Sequence, residues 1–126
     1  FMPTAAEIAV CKWLTDDELS VYVTEYSRTG FTGALQGYRV RRGNDPRTLA
    51  ELRTFAGRTV DVPVCFIAGK SDWGSYKTPG ELEAMQGPVS TKWRGTHFVD
   101  GAGHWVQQEQ PEATAKLLIE FFGGAP

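Results

Sequence analysis

The sequence predicts an α/β fold in two parts: a helical stretch over residues 1–58, then a strand–helix–strand–helix segment of a parallel sheet over residues 59–126. Three observations carry this. Val62-Pro63-Val64-Cys65-Phe66-Ile67-Ala68 is an almost unbroken apolar run ended by Gly69, the pattern of a strand covered on both faces as in a parallel sheet. A second strand-like run, residues 92–99, follows after a helical stretch, which is the alternation of a doubly wound sheet. Before Val60 the apolar residues recur at helical spacing instead. Two parallel strands alone leave open edges and an uncovered apolar face, so the segment reads as part of a sheet rather than the whole of one.

The elements follow in order. Residues 3–14 are expected to form a short helix, with Pro3 near its start and Ile8, Ala9, Cys11 and Leu14 on its apolar side. Thr15-Asp16-Asp17-Glu18 has the form of a capping box, in which Thr15 accepts from a first-turn amide while Glu18 reaches back. Leu19, Tyr22, Val23 and Tyr26 continue at helical spacing until Gly30 supplies a stop. Residues 32–40 suggest another helix with Ala34, Leu35 and Tyr38 on one side, and Gly43-Asn44-Asp45-Pro46 is a turn by composition. Residues 48–55 suggest one more helix carrying Leu49, Leu52 and Phe55. Between the two strands, residues 79–86 give a helix with Leu82 and Met85. After the second strand comes the turn Gly101-Ala102-Gly103. Pro111 suits the first position of a final helix, where its missing amide costs nothing. That helix is expected to turn Ala115, Leu118, Ile119 and Phe122 inward and to stop at Gly123-Gly124.

The bulk properties narrow the function classes. A length of 126 residues, a net charge of −2 and 41% hydrophobic residues describe ordinary globular sequence. The densest basic group, Arg39, Arg41 and Arg42, sits beside a turn rather than among spaced aromatics, which argues against a nucleic-acid surface. No apolar stretch approaches the roughly 20 residues that cross a bilayer, and Phe1-Met2-Pro3 does not resemble a secretory signal. Cys11 and Cys65 make no disulfide framework. Both are read as reduced thiols, which fits a cytoplasmic protein. Because Phe precedes Met, the chain is expected to have been cut from something longer, an expression scar being the plain alternative.

Ligands of open parallel sheets bind beyond the carboxyl ends of the strands. Two titratable residues fall there: Asp72 in Ala68-Gly69-Lys70-Ser71-Asp72, and His104 in Asp100-Gly101-Ala102-Gly103-His104-Trp105. A carboxylate beside an imidazole fixes its tautomer and stabilises the imidazolium, as a general base requires. The plain alternative is that Asp72 caps the following turn and His104 is a surface histidine. His97 reads as a packed or solvated strand residue. Asp100 competes as the acid for His104, but its place in a tight turn suits it better to stabilising the loop. No Cys/His cluster has metal-ligand spacing.

The segment Phe66-Ile67-Ala68-Gly69-Lys70-Ser71-Asp72 resembles the strand-plus-acid segment of α/β-hydrolases. Gly101-Ala102-Gly103-His104-Trp105-Val106-Gln107-Gln108-Glu109-Gln110-Pro111-Glu112 resembles their histidine loop and final helix, and its Gly-His-Trp-Val-Gln-Gln-Glu form is most similar to the epoxide hydrolases. Glu25-Tyr26-Ser27-Arg28-Thr29-Gly30-Phe31-Thr32-Gly33-Ala34-Leu35-Gln36-Gly37-Tyr38-Arg39 resembles the end of the epoxide hydrolase cap. Tyr38 matches the cap tyrosine that donates to the epoxide oxygen, although Gly37 stands where the family carries a bulky aromatic. A tyrosine packed on the apolar side of its helix is the alternative for Tyr38.

The resemblance implies the C-terminal portion of an α/β-hydrolase fold, with residues 1–58 as a helical cap remnant and connector and residues 59–126 as the C-terminal part of the core. It further implies catalytic roles for His104, Asp72 and Tyr38. An aspartate nucleophile opens the epoxide to an alkyl-enzyme ester, two cap tyrosines protonate the oxygen, and a histidine-activated water releases the diol. No cofactor is required. The implied partners are a small apolar epoxide or related substrate, and either the N-terminal half of the same fold or a homo-oligomeric partner, with no nucleic acid or membrane. No small-x-nucleophile-x-small elbow follows an apolar strand in residues 1–126, so this chain alone is expected to be inactive. Two further readings stay open: a non-catalytic truncated module that associates through its exposed sheet edge, and an ester or haloalkane hydrolase of the same fold.

Overall fold

The computed structural model describes residues 4–43 and 46–124, so the expected roles of Pro3, Asn44 and Asp45 lie outside the described residues. The chain divides into two compact units, Phe1–Arg58 and Thr59–Pro126.

The first unit is helical: α1 (Ala5–Ala9), α2 (Asp16–Thr29), α3 (Gln36–Arg42) and α4 (Pro46–Arg53). The capping box at Thr15 is complete. The Glu18 amide donates to the Thr15 hydroxyl at 3.3 Å, while the Glu18 carboxylate accepts from the Thr15 amide at 2.8 Å. Thr4 and Glu7 form a second box of the same kind at the start of α1. Gly30 ends α2 at φ 67°, a left-handed conformation that glycine adopts without strain.

Three helix boundaries differ from expectation. α1 stops at Ala9 rather than residue 14, with Val10 as its cap, and Thr15 is extended (ψ 163°) to cap the next helix. Residues 32–35 form turns and the helix begins only at Gln36. Gly33 and the β-branched Thr32 weaken helix there, and Leu35 offers no capping side chain. α4 begins at Pro46, which takes the first helical position instead of closing the turn. The expected apolar side of α2 is also more open than the periodicity implies. Leu19, Tyr22 and Val23 are exposed, and only Tyr26, stacked on Phe31 with ring centroids 4.3 Å apart, is half-buried.

The second unit is a parallel pair, β1 (Val60–Gly69) and β2 (Ser90–Val99), linked through α5 (Glu81–Ala84) and followed by α6 (Val106–Glu109) and α7 (Pro111–Gly123). Its register shifts twice. β1 has two residues, Asp61 and Val62, where β2 has one, and further along Arg94 is the extra residue on β2. Pro63, which has no amide to donate, stands beside the first irregularity, and Gly95 (φ 156°) beside the second. The two shifts cancel. Val60 pairs with Ser90 and Gly69 with Val99, so both strands end level.

The helix expected over residues 79–86 is shorter. α5 passes into a single π turn, Met85–Val89, which contains Pro88. Gln86 Nε2 donates to Thr96 Oγ1 at 2.8 Å and ties this turn to β2. Pro111 opens α7 as expected, but the side facing the unit carries Thr114, Leu117 and Phe121. Ile119 and Phe122 are 72% and 78% exposed, and Leu118 and Ala115 also face outward. β1 is likewise exposed at its start and buried only at Ala68 and Gly69. One partner strand and short helices cannot cover apolar residues on every side.

The Glu18 carboxyl is held below its usual value of 4.5, chiefly by the Thr15 amide and then by the Thr15 hydroxyl. A depressed carboxyl stabilises the helix above its ordinary value and loses that effect as pH falls through the lowered one. Helix content of α2 should therefore decline on acidification below about 4.5. Far-UV circular dichroism should show that part of the decline absent in Glu18→Gln. Thr15→Ala should weaken the helix by about 1 kcal/mol at neutral pH.

Candidate active site

The level ends of β1 and β2 launch two loops side by side. The Lys70 amide donates to Val99 O at 2.9 Å and the Ser71 amide to Ala102 O at 3.0 Å, so the loops are joined by backbone. Gly69 makes this approach possible, since a Cβ there would collide with the carbonyl oxygens of Ala102 and Gly103. Ala102 is the most buried residue of the contact, at 1% exposure. Gly101 turns the second loop at φ 74°.

Asp72 stands at the end of the first loop and is nearly buried (9% exposed). Its Oδ1 accepts from the Gly74 amide at 2.9 Å and caps a 3₁₀ turn, Trp73–Tyr76. That turn is anchored by the Tyr76 hydroxyl donating to Lys70 O at 3.1 Å and by Tyr76 stacking on Phe98. His104 Nδ1 lies 3.3 Å from both Asp72 oxygens. Capping and pairing are thus both performed by one carboxylate: the turn fixes its plane, and the fixed plane faces the imidazole. A neutral ring donating from Nδ1 keeps its lone pair on Nε2, the atom left free to take a proton. The His104 side chain is 61% exposed and meets Trp105 in a T-shaped contact with ring centroids 5.2 Å apart.

The other candidates separate cleanly. Asp100 binds Lys70 Nζ at 2.7 Å instead, which raises the Lys70 pKa, first by that hydrogen bond and then by charge. His97 lines a groove of about 260 Å³ with Pro63, Arg94, Leu117, Glu120 and Phe121, and takes no part in the Asp72–His104 contact. Tyr38 belongs to α3 in the first unit, where it is 61% exposed with the Arg41 guanidinium 5.9 Å from its ring centroid. It is not a packed core residue. Among the described residues no group of three or more His, Cys, Asp or Glu side chains converges as a metal site, and no helix is long and apolar enough to cross a membrane.

One participant carries no role in the sequence reading. Glu109 Oε2 accepts from the Gly103 amide at 2.7 Å and Oε1 from the Trp105 amide at 2.9 Å, so one carboxylate holds the backbone on both sides of His104. The available signal is an acid placed four residues after Trp105, in the first turn of α6.

No protein-family model matches the chain. Among curated proteins it is 39% identical over 114 residues to Epoxide hydrolase A of Mycobacterium tuberculosis, an alignment covering 89% of this chain and 33% of that protein. Among solved structures, Epoxide Hydrolase A from Mycobacterium thermoresistibile superposes with a TM-score of 0.69 at 38% identity, covering 90% of this chain and 34% of that one. Potato (Solanum tuberosum) epoxide hydrolase I gives a TM-score of 0.74 at 27% identity, covering 98% and 41%. The chain spans about a third of the length of the curated relatives it matches.

Gly69→Ala should drive β1 and the histidine loop apart and destabilise the second unit by roughly 1–3 kcal/mol. The check is the unfolding midpoint together with the loss of Asp72–His104 proximity by NMR. An unchanged midpoint would mean that the two loops do not meet at Gly69.

Proposed function

Because this chain matches, over nearly all its length, the C-terminal part of epoxide hydrolases of the α/β-hydrolase fold, we propose that it carries the general-base half of an epoxide-opening site. The observation that supports this most is His104 Nδ1 at 3.3 Å from both oxygens of Asp72, beyond the carboxyl ends of two parallel strands. Residues 1–58 are assigned as the end of a helical cap with its connector, and residues 59–126 as the end of the core. A cytoplasmic setting accords with the free thiols Cys11 and Cys65.

In the proposed reaction, a carboxylate nucleophile attacks an epoxide carbon and the ring C–O bond breaks. The oxygen takes a proton from Tyr38, and the product is an alkyl-enzyme ester. A phenol in this position stabilises the developing alkoxide. His104 Nε2 then takes a proton from a water that attacks the ester carbonyl, and Asp72 stabilises the resulting imidazolium. Collapse expels the alkoxide, which takes the proton from His104 and completes the diol, and the proton left on the nucleophile's carboxyl returns to the Tyr38 phenolate, restoring both groups. Residues 1–126 contain no nucleophile elbow, so the nucleophile is proposed to come from outside them, and these residues alone are proposed to be inactive.

In a complete protein carrying these residues, His104→Asn should stop diol turnover yet leave one equivalent of substrate bound covalently, read as a mass increase equal to the epoxide. No mass increase would argue against an ester intermediate. Tyr38→Phe should slow epoxide opening by roughly 10²-fold. Haloalkane substrates, whose leaving group needs no proton, separate the related chemistry: dehalogenation surviving Tyr38→Phe as the main activity would favour a haloalkane hydrolase.

A second reading rests on a different observation, the apolar surface around β1 and α7. Val62, Ile119 and Phe122 are 59%, 72% and 78% exposed, the mark of a surface that associates. It predicts either the N-terminal half of the same fold or a second copy bound to the purified chain, and sedimentation of a lone monomer would exclude a stable complex.

A further inference from the structure

We propose that Glu109 is a positioning residue, which sets the tautomer of His104 by clamping the backbone on both sides of it against the carboxylate of Asp72. The proposal rests on the reading of His104 as a base oriented by Asp72, and extends it to a group that touches neither substrate nor imidazole.

The geometry is that of a bridle. Glu109 Oε2 takes the Gly103 amide at 2.7 Å and Oε1 takes the Trp105 amide at 2.9 Å, charge-assisted bonds to the amides of the two residues that flank His104. Glu109 itself is held by α6: its own amide donates to Trp105 O at 2.8 Å, and the Gln110 amide donates to Val106 O at 2.9 Å. α6 is in turn tied to α7 by Thr114 Oγ1, whose single proton is shared between Gln110 O at 2.9 Å and Val106 O at 3.2 Å. Thr114 is buried, so the chain of support from α7 to the histidine loop is anchored at its far end.

The clamp matters because the His104 ring has little else to hold it. Its side chain is 61% exposed, and its Nδ1 contact with Asp72 is 3.3 Å, longer than a strong hydrogen bond. Gly101 and Gly103 leave the loop backbone freer than any other residues would. An unrestrained imidazole in water prefers the proton on Nε2, the tautomer that cannot act as a base at that atom. Holding Gly103 and Trp105 in place keeps Nδ1 over the Asp72 carboxylate and leaves the lone pair on Nε2. A Cβ at residue 103 would rest in ordinary contact with the Glu109 oxygens, 3.4 and 3.5 Å away, so the carboxylate packs closely along this backbone.

The experiment uses the 126-residue chain labelled with ¹⁵N and ¹³C. In the unsubstituted protein, couplings across the hydrogen bonds should connect the Gly103 and Trp105 amide nitrogens to the Glu109 carboxylate carbon. Their absence overturns the proposal without any substitution. At a pH where the ring is neutral, long-range ¹H–¹⁵N spectra should show His104 mainly protonated on Nδ1. Glu109→Gln, which loses one of the two acceptors, should lower the Nδ1–H to Nε2–H ratio by roughly threefold or more, on the scale of part of a hydrogen bond to a charged group. His97 should not change. In an Asp72→Asn background Glu109→Gln should leave the His104 ratio unmoved, because the clamp acts through Asp72. A ratio that still falls there assigns the effect to the Glu109 charge alone and overturns the proposal. Since none of these readouts depends on turnover, failure of the clamp and failure of the epoxide reaction are told apart.

Discussion

The candidate site depends on the level ending of two parallel strands. Two opposite irregularities in the β1–β2 ladder cancel, so Gly69 and Val99 stand opposite each other and the loops that follow start side by side. Had only one shift occurred, the register would end one residue out and the side chains of one strand would be turned to the other face. From the level start, the loops are joined by Lys70 and Ser71 amides and pressed together where Gly69 has no Cβ. Asp72 and His104 meet only because of this closure, since 32 residues separate them in the chain.

Around that contact the structure distributes its carboxylates by task. Asp100 forms an exposed pair with Lys70, the kind of surface pair that contributes little. Asp72, almost buried, is fixed by the Gly74 amide before it faces His104. Glu109 never reaches the imidazole and spends both oxygens on the amides of the two neighbouring residues. The same functional group therefore serves as a solvated anchor, a ring partner and a backbone clamp, according to what its local turn presents to it.

The remainder of the second unit is less closed than its site. α7 is apolar on more than one side, with Leu117 and Phe121 toward the unit and Ile119 and Phe122 away from it. An apolar side of a helix is one that a folded protein ordinarily covers. Among the described residues β1 has a single partner strand. These features accord with a chain that spans about a third of the curated relatives it matches, and with the argument from strand number that a two-stranded parallel sheet is part of something larger.

The sequence by itself determined the local devices. The Thr15–Glu18 box, the stop at Gly30, Pro111 at the head of α7 and the apolar strand β1 are written within a few residues each, and they form where they are written. Asp72 and His104 were also legible as candidates, because the carboxyl ends of parallel strands are where such loops emerge. Tertiary structure decided the rest. Helical period alone places Ile119 and Phe122 with the inward residues of α7, but which side meets the sheet depends on what is packed there, and Thr114, Leu117 and Phe121 meet it instead. The choice between Asp72 and Asp100 is likewise set by the closure of two loops on Gly69. Spacing along a chain specifies which groups can share a turn; only the register of the paired strands specifies which groups from different turns meet.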